Sequence, residues 1–300
     1  MNQTQTFIRI APLIFVAIWS TGFIAAKYSM SNADPFVFLC LRFSITACIL
    51  IAALFLWRLP LPLNFWRHRH DLVAGALIHA GYLGFLFWPI QNGVPSGIVA
   101  IIVGIQPILT MALASLYIGE SLDRQKLFGL VMGFIGVSVV LIGKYGINFG
   151  LDGGLDSTEL AKCLISLLSF SVGVFYQKKF CDQSNLITGT SLQYISAALV
   201  CAMFAFLFDE QWTIHWTPTF AIALSWQVLA LSIGAIVLLM QILKLGEAGR
   251  ISSMFYLVPP LVVIEAWYLF NETLTLLSVF GMSICIAGVY FVNRTAKASN

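Results

Sequence analysis

Apolar residues run along this chain in blocks of about twenty, and short polar stretches separate the blocks. A bilayer core takes about 20 apolar residues in helical form. The pattern therefore predicts ten membrane-spanning helices, near residues 8–29, 35–57, 72–90, 95–118, 124–143, 160–180, 187–208, 223–244, 250–270 and 275–293. The third carries His79 and closes in FWPIQNGVPSG, where proline, asparagine and glycine end a helix. The first follows Arg9 and could pass for a signal peptide, but its counterpart in the second half marks it as an uncleaved span.

Charge tests the count, because lysine and arginine gather in cytoplasmic loops. With the N-terminus inside, twelve basic residues fall on the cytoplasmic side: Arg9, Arg58, Arg67, Arg69, Arg124, Lys126, Lys178, Lys179, Lys244, Arg250, Arg294 and Lys297. Lys27, Lys144 and Lys162 stay outside, and Arg42 lies within the second span. Both termini are expected in the cytoplasm.

The blocks also repeat. Pro107 and Pro259, Glu120 and Glu272, Gly129 and Gly281, and Gly136 and Gly288 are each 152 residues apart. Upstream the offset is 151, pairing Gly22 with Gly173, Lys27 with Lys178, Asp34 with Asn185 and Arg42 with Gln193. The expected architecture is an all-α integral membrane protein of two five-helix units, residues 1–147 and 155–300. Five is odd, so the second unit enters the membrane from the opposite side. Inverted repeats of this kind enclose a midplane site and can rock between inward-open and outward-open forms.

The P-x12-E-x8-G-x6-G skeleton in both halves, with IWSTGFIAAKYSM, ADPFVFLCLRF and GYLGFLFWPIQNGVPSGIVAIIVGIQP, resembles the drug/metabolite transporter superfamily, EamA type. The resemblance spans the chain and is stronger in the first half. It implies a ten-helix bundle around a central cavity and, usually, export of amino acids or other small metabolites across the bacterial inner membrane.

Composition agrees with membrane residence: 59% of residues are hydrophobic, 10% are charged and the mean hydropathy is +0.91, against roughly 45–50% apolar and about 25% charged in soluble domains. A scattered net charge of +3 gives no footprint for nucleic acid. Six cysteines without C-x-x-C spacing read as small hydrophobes, with no metal or cofactor expected. The chain lacks H-E-x-x-H, G-x-S-x-G and P-loop motifs, so neither catalysis nor ATP-driven pumping within it is expected. The expected partners are a small-molecule substrate, the lipid bilayer and coupling protons, with the chain a monomer or a homodimer.

Ionisable groups inside a span are costly and are usually compensated by a role. Arg42 and Glu265 are the two sharpest, at a shared depth of about 10–12 Å below the outer helix ends. They can pair with each other, or each can hold one end of an amino-acid-like substrate, and Glu265 can carry a proton. For Arg42 the plain alternative is helix packing. Trp19, His79, Tyr82, Trp88, Gln106, Tyr176, Gln177 and Tyr256 are candidates for the rest of a cavity, each with a packing role as the alternative. Pro107 and Pro259 are candidate hinges within the fourth and ninth helices, or static shapers of the bundle. Glu120 and Glu272 read as helix-start carboxylates, and the four glycines as a packing stripe. A lipophilic-cation exporter and an uptake carrier are the competing functions.

Overall fold

The computed structural model describes residues 3–59, 66, 68–94, 99, 102–119, 123–145, 156–181, 185–245, 253–270 and 274–294, and among these there is no strand. The helices are α1 (Gln3–Met30), α2 (Pro35–Leu56), α3 (69–91), α4 (Gln106–Ile118), α5 (Arg124–Tyr145), α6 (Ser157–Phe180), α7 (Leu186–Leu207), α8 (218–245), α9 (254–270) and α10 (Leu276–Arg294). Eight are long and apolar enough to cross a membrane, whereas α4 and α9 are shorter apolar helices. Glu120 and Glu272 lie outside the described residues.

Three helices change winding along their length. Ala76–Gly84 in α3 and Gln227–Ala235 in α8 are π-helical, and α9 opens with a 3₁₀ turn, Met254–Leu257, before the α-helix Val258–Phe270. A shift of 151 residues carries α2 onto α7 and the first π segment onto the second, boundary for boundary. A shift of 152 carries α4 onto Val258–Phe270.

Helix ends follow local chemistry. Pro35 occupies the first turn of α2, where its missing N–H has no intrahelical partner to lose. Asn185 caps α7 by accepting from the Ile187 and Thr188 amides. The matching Asp34 makes no such bond to α2. Instead Glu210, beyond the end of α7, accepts from the amides of Phe36 (3.2 Å) and Val37 (2.9 Å). Gly119 ends α4 at φ +80°, the left-handed conformation that glycine adopts at least cost.

Among the helix pairs that join the halves of the chain are α5–α10 and α2–α7. On α5 and α10 the glycine stripe brings backbone against backbone: a β-carbon on Gly129 would stand 2.7 Å from the Gly288 carbonyl oxygen, and one on Gly136 2.9 Å from that of Gly281. Positions ascending on α5 meet positions descending on α10, so the helices run antiparallel. In the second pair, α2 and α7, Phe36 packs against Phe204 and Phe208. The same close fit recurs on α3, where Gly75 abuts the Gln193 backbone and Gly84 the Phe36 ring. The main apolar core fills the space among α1, α2, α3, α7 and α8, and a second cluster lies between α5, α10 and the start of α9.

Candidate functional site

Two neighbouring hollows with a shared wall, taken together as two lobes of one cavity, lie where helices of both halves meet. One lobe, about 390 Å³, is walled by Trp19 and Gly22 of α1, Arg42 of α2, Tyr82 and Leu86 of α3, and Gln227 and Leu231 of α8. The other, about 590 Å³, shares Trp19, Tyr82 and Leu86 and adds Gln106 and Pro107 of α4, Phe170 of α6, and Phe255, Tyr256 and Pro259 of α9.

Aromatic rings fix the shared wall. Tyr82 stacks on Phe170 with centroids 4.1 Å apart and planes 13° apart. Trp19 lies parallel to Phe170 at 6.4 Å, and Phe255 meets both edge-on, at 5.7 Å and 5.2 Å. Offset stacks and edge-on contacts suit the ring quadrupole. The mutual contacts also hold these bulky side chains in place as a wall.

Arg42 is 5% exposed, and its hydrogen bonds are to neutral groups. Its Nε donates to Ser232 Oγ at 2.9 Å and its Nη1 to Gln227 Oε1 at 3.1 Å. Gln227 is positioned in turn by donating to Ser29 Oγ at 2.8 Å. Gln227 and Ser232 are five residues apart, a spacing that faces different ways on an α-helix but nearly one way in a π-helical i→i+5 turn. The winding of α8 thus builds the cradle for Arg42. Shifted by 151, the same two positions in α3 hold Ala76 and Gly81, and Arg42 itself corresponds to Gln193. The cation comes from the first half and its cradle from the second, and neither is repeated in the other.

Arg42 and Glu265 do not pair. Glu265 on α9 receives the Ser20 hydroxyl of α1, and its Oε2 is buried with no partner among the described residues. It lines neither lobe.

Four of the remaining candidates fall outside both lobes. His79 stacks on Tyr194 at 4.5 Å, behind Arg42, with its Nε2 unpartnered among the described residues. Trp88 carries Lys162 Nζ 3.9 Å above its ring, and that lysine pairs with Glu159 at 2.7 Å. The Tyr176 hydroxyl lies 2.6 Å from His70 Nδ1, and Gln177 accepts from Gln193 Nε2 at 2.8 Å. Trp19, Tyr82, Gln106, Tyr256 and Arg42 do line the cavity.

Pro107 and Pro259 line it too, but neither bends a continuous α-helix. Each sits in the first turn of an α-helix, after a turn at 104–105 and after the 3₁₀ turn of α9 respectively. Proline is well tolerated there because the first-turn N–H groups lack partners anyway. Of the site residues that the sequence did not single out, Gln227 in the cavity wall and Ser232, which braces Arg42, carried a signal as polar groups within an apolar span. Phe170 and Phe255 carried none, being two phenylalanines among 24.

The sequence pattern of the EamA-like transporter family matches residues 7–142 and again 158–294. The chain belongs to that family. It is therefore a multi-pass membrane protein of a transporter family, with a small molecule as its substrate and lipid around it. It is 26% identical to the uncharacterized transporter YvbV of Bacillus subtilis, over 99% of this chain and 94% of that protein. It is also 26% identical to a probable amino-acid metabolite efflux pump of Salmonella typhimurium, over 96% and 97%, and 25% identical to one of Escherichia coli, over 93% and 92%. A solved crystal structure shares the fold with a TM-score of 0.77 at 16% identity, covering 97% of this chain and 98% of the other.

Proposed function

We propose that this protein is a bacterial inner-membrane secondary transporter that exports small metabolites, such as amino acids or their derivatives, by alternating access. The observation that carries the proposal is the aromatic-walled cavity with one buried arginine, drawn from helices of both halves. The names of the Salmonella and E. coli relatives point to the same substrate class.

In this reading ten helices span the membrane as two inverted repeats, residues 1–147 and 155–300, with both termini cytoplasmic. It is supported by the two family matches, the paired π segments and the antiparallel course of α5 and α10. Two equivalent bodies meeting at one cavity can rock about it, opening it first to one side and then to the other.

Glu265 is the proposed proton carrier. Ser20 Oγ also lies 2.9 Å from the Ala17 carbonyl oxygen, and a single hydroxyl hydrogen serves only one acceptor well. With that hydrogen on Ala17, the contact to Glu265 is completed by a proton on the carboxyl group. Losing the proton would swing the Ser20 hydroxyl from the Ala17 carbonyl to the carboxylate, so that proton release rearranges the α1–α9 seam. The lipophilic-cation reading is disfavoured because an arginine, and no carboxylate among the described residues, lines the cavity.

The direct test compares metabolites in the medium of cells expressing the protein with those of vector controls. Enrichment of a few amino acids or derivatives is expected. Selective accumulation inside the cells would instead identify an uptake carrier.

A further inference from the structure

Arg42 poses an electrostatic problem that the protein leaves open. A buried cation in an apolar medium needs a counter-ion or a full set of hydrogen bonds. The two hydrogen bonds above are both to neutral oxygens, and among the described residues no carboxylate pairs with Arg42 or lines either lobe. Glu265, the intramembrane acid on α9, is engaged with Ser20 instead.

The other lobe supplies a second open group. Tyr256 is 1% exposed and lines the cavity, and its hydroxyl has no partner among the described residues. Gln106 adds another neutral polar side chain to the same lobe. The described lining thus offers one positive charge at one end, aromatic and aliphatic walls between, and neutral hydrogen-bonding groups at the other.

From this arrangement we infer that the preferred substrate is a monocarboxylate with an apolar or aromatic body and no free ammonium group. Resting on the transporter reading for its premise that the cavity is a substrate site, this narrows the substrate class from amino acids to acids whose amine is absent or blocked. A carboxylate supplies the missing counter-ion and accepts paired N–H donors from a guanidinium. An ammonium group two bonds from that carboxylate would lie near Arg42, where like charges repel and no acid receives it. The aromatic faces offer only a cation–π contact in compensation. A phosphate ester, with about two charges, would bring more negative charge than a single arginine balances.

The test is calorimetric titration of the purified full-length chain in detergent at neutral pH with three probes of one shape: 3-phenylpropionate, L-phenylalanine and 2-phenylethylamine. The acid is expected to bind at least about tenfold more tightly than the amino acid, with no saturable binding of the amine. Arg42→Lys should keep binding of the acid, and Arg42→Gln should lose it by at least about tenfold. Equal or tighter binding of L-phenylalanine or the amine would overturn the inference. So would failure of the acid to bind the wild type, or undiminished binding by a folded Arg42→Gln protein. If Arg42→Gln does not fold, the wild-type probe series alone decides the charge class. Binding is read without a gradient, so preference for the acid without metabolite export would sink the exporter reading alone. Export of zwitterionic amino acids with no preference for the acid would sink this inference alone.

Discussion

Phe43 on α2 and Tyr194 on α7 occupy positions 151 residues apart and touch each other, with ring centroids separated by 5.5 Å. They differ by one hydroxyl, and that hydroxyl donates to the Ser232 carbonyl oxygen at 2.6 Å, beside the cradle of Arg42. Tyr194→Phe keeps the ring and leaves the carbonyl without that donor. A loss of about 1–2 kcal/mol in stability is expected. Thermal unfolding in detergent measures it, and an unchanged midpoint would show that the carbonyl finds another donor.

The α5–α10 seam makes a sharper demand. A β-carbon on Gly288 would stand 2.6 Å from both the Gly129 carbonyl oxygen and the Gly133 amide nitrogen, so backbone must move to admit it. Gly288→Ala is expected to cost about 1–3 kcal/mol. Gly234→Ala is the control, because its β-carbon would meet only the Leu229 carbonyl oxygen, at 3.5 Å. Equal melting of the two variants would contradict the close packing.

Acid should stabilise the fold through Glu210, on the segment after α7. Burial pushes the Glu210 carboxyl above its ordinary pKa of 4.5, an effect moderated by the amides of Val37 and Phe36 that it accepts. The folded state therefore holds the proton more firmly than the unfolded chain. The resulting stability is fully present below the ordinary value and is lost as pH rises through the raised one. Glu210→Gln should flatten the dependence of the melting midpoint on pH across that window. An identical slope in both proteins would assign the pH dependence to other groups.

Transport itself reports on Glu265. In vesicles, Glu265→Gln should retain flux down a substrate gradient and lose its response to a proton gradient. Ser20→Ala removes the partner hydroxyl and should shift the pH dependence without abolishing it. Wild-type behaviour of Glu265→Gln under both gradients would remove the carboxyl from the coupling step.

How much was visible beforehand depended on whether a feature is local. Helix α2 was expected at 35–57 and is found at Pro35–Leu56; α7 was expected at 187–208 and is found at Leu186–Leu207. Apolar block length, a proline and an asparagine cap suffice for such boundaries. The glycine stripe was equally readable, because its sevenfold spacing keeps one face of a helix bare. The π segments were not, since no residue type in Ala76–Gly84 or Gln227–Ala235 sets them apart. Gln227 and Ser232 therefore did not look like neighbours, and Arg42 was seen without its cradle. His79 and Trp88 drew notice because a polar or amphipathic side chain in a span does so whether it faces a cavity or, as here, a packed ring.

The wide turns in α3 and α8 have a mechanical consequence. Each stores surplus chain within a helix whose ends continue as ordinary α-helix. Passing one residue of that slack along the rod, like a wrinkle moved along a carpet, would turn the stretch it passes by about 100° with little change in overall length. Tyr82 and Gln227 both stand on such slack, so a small slip in either rod would re-aim a wall of the cavity.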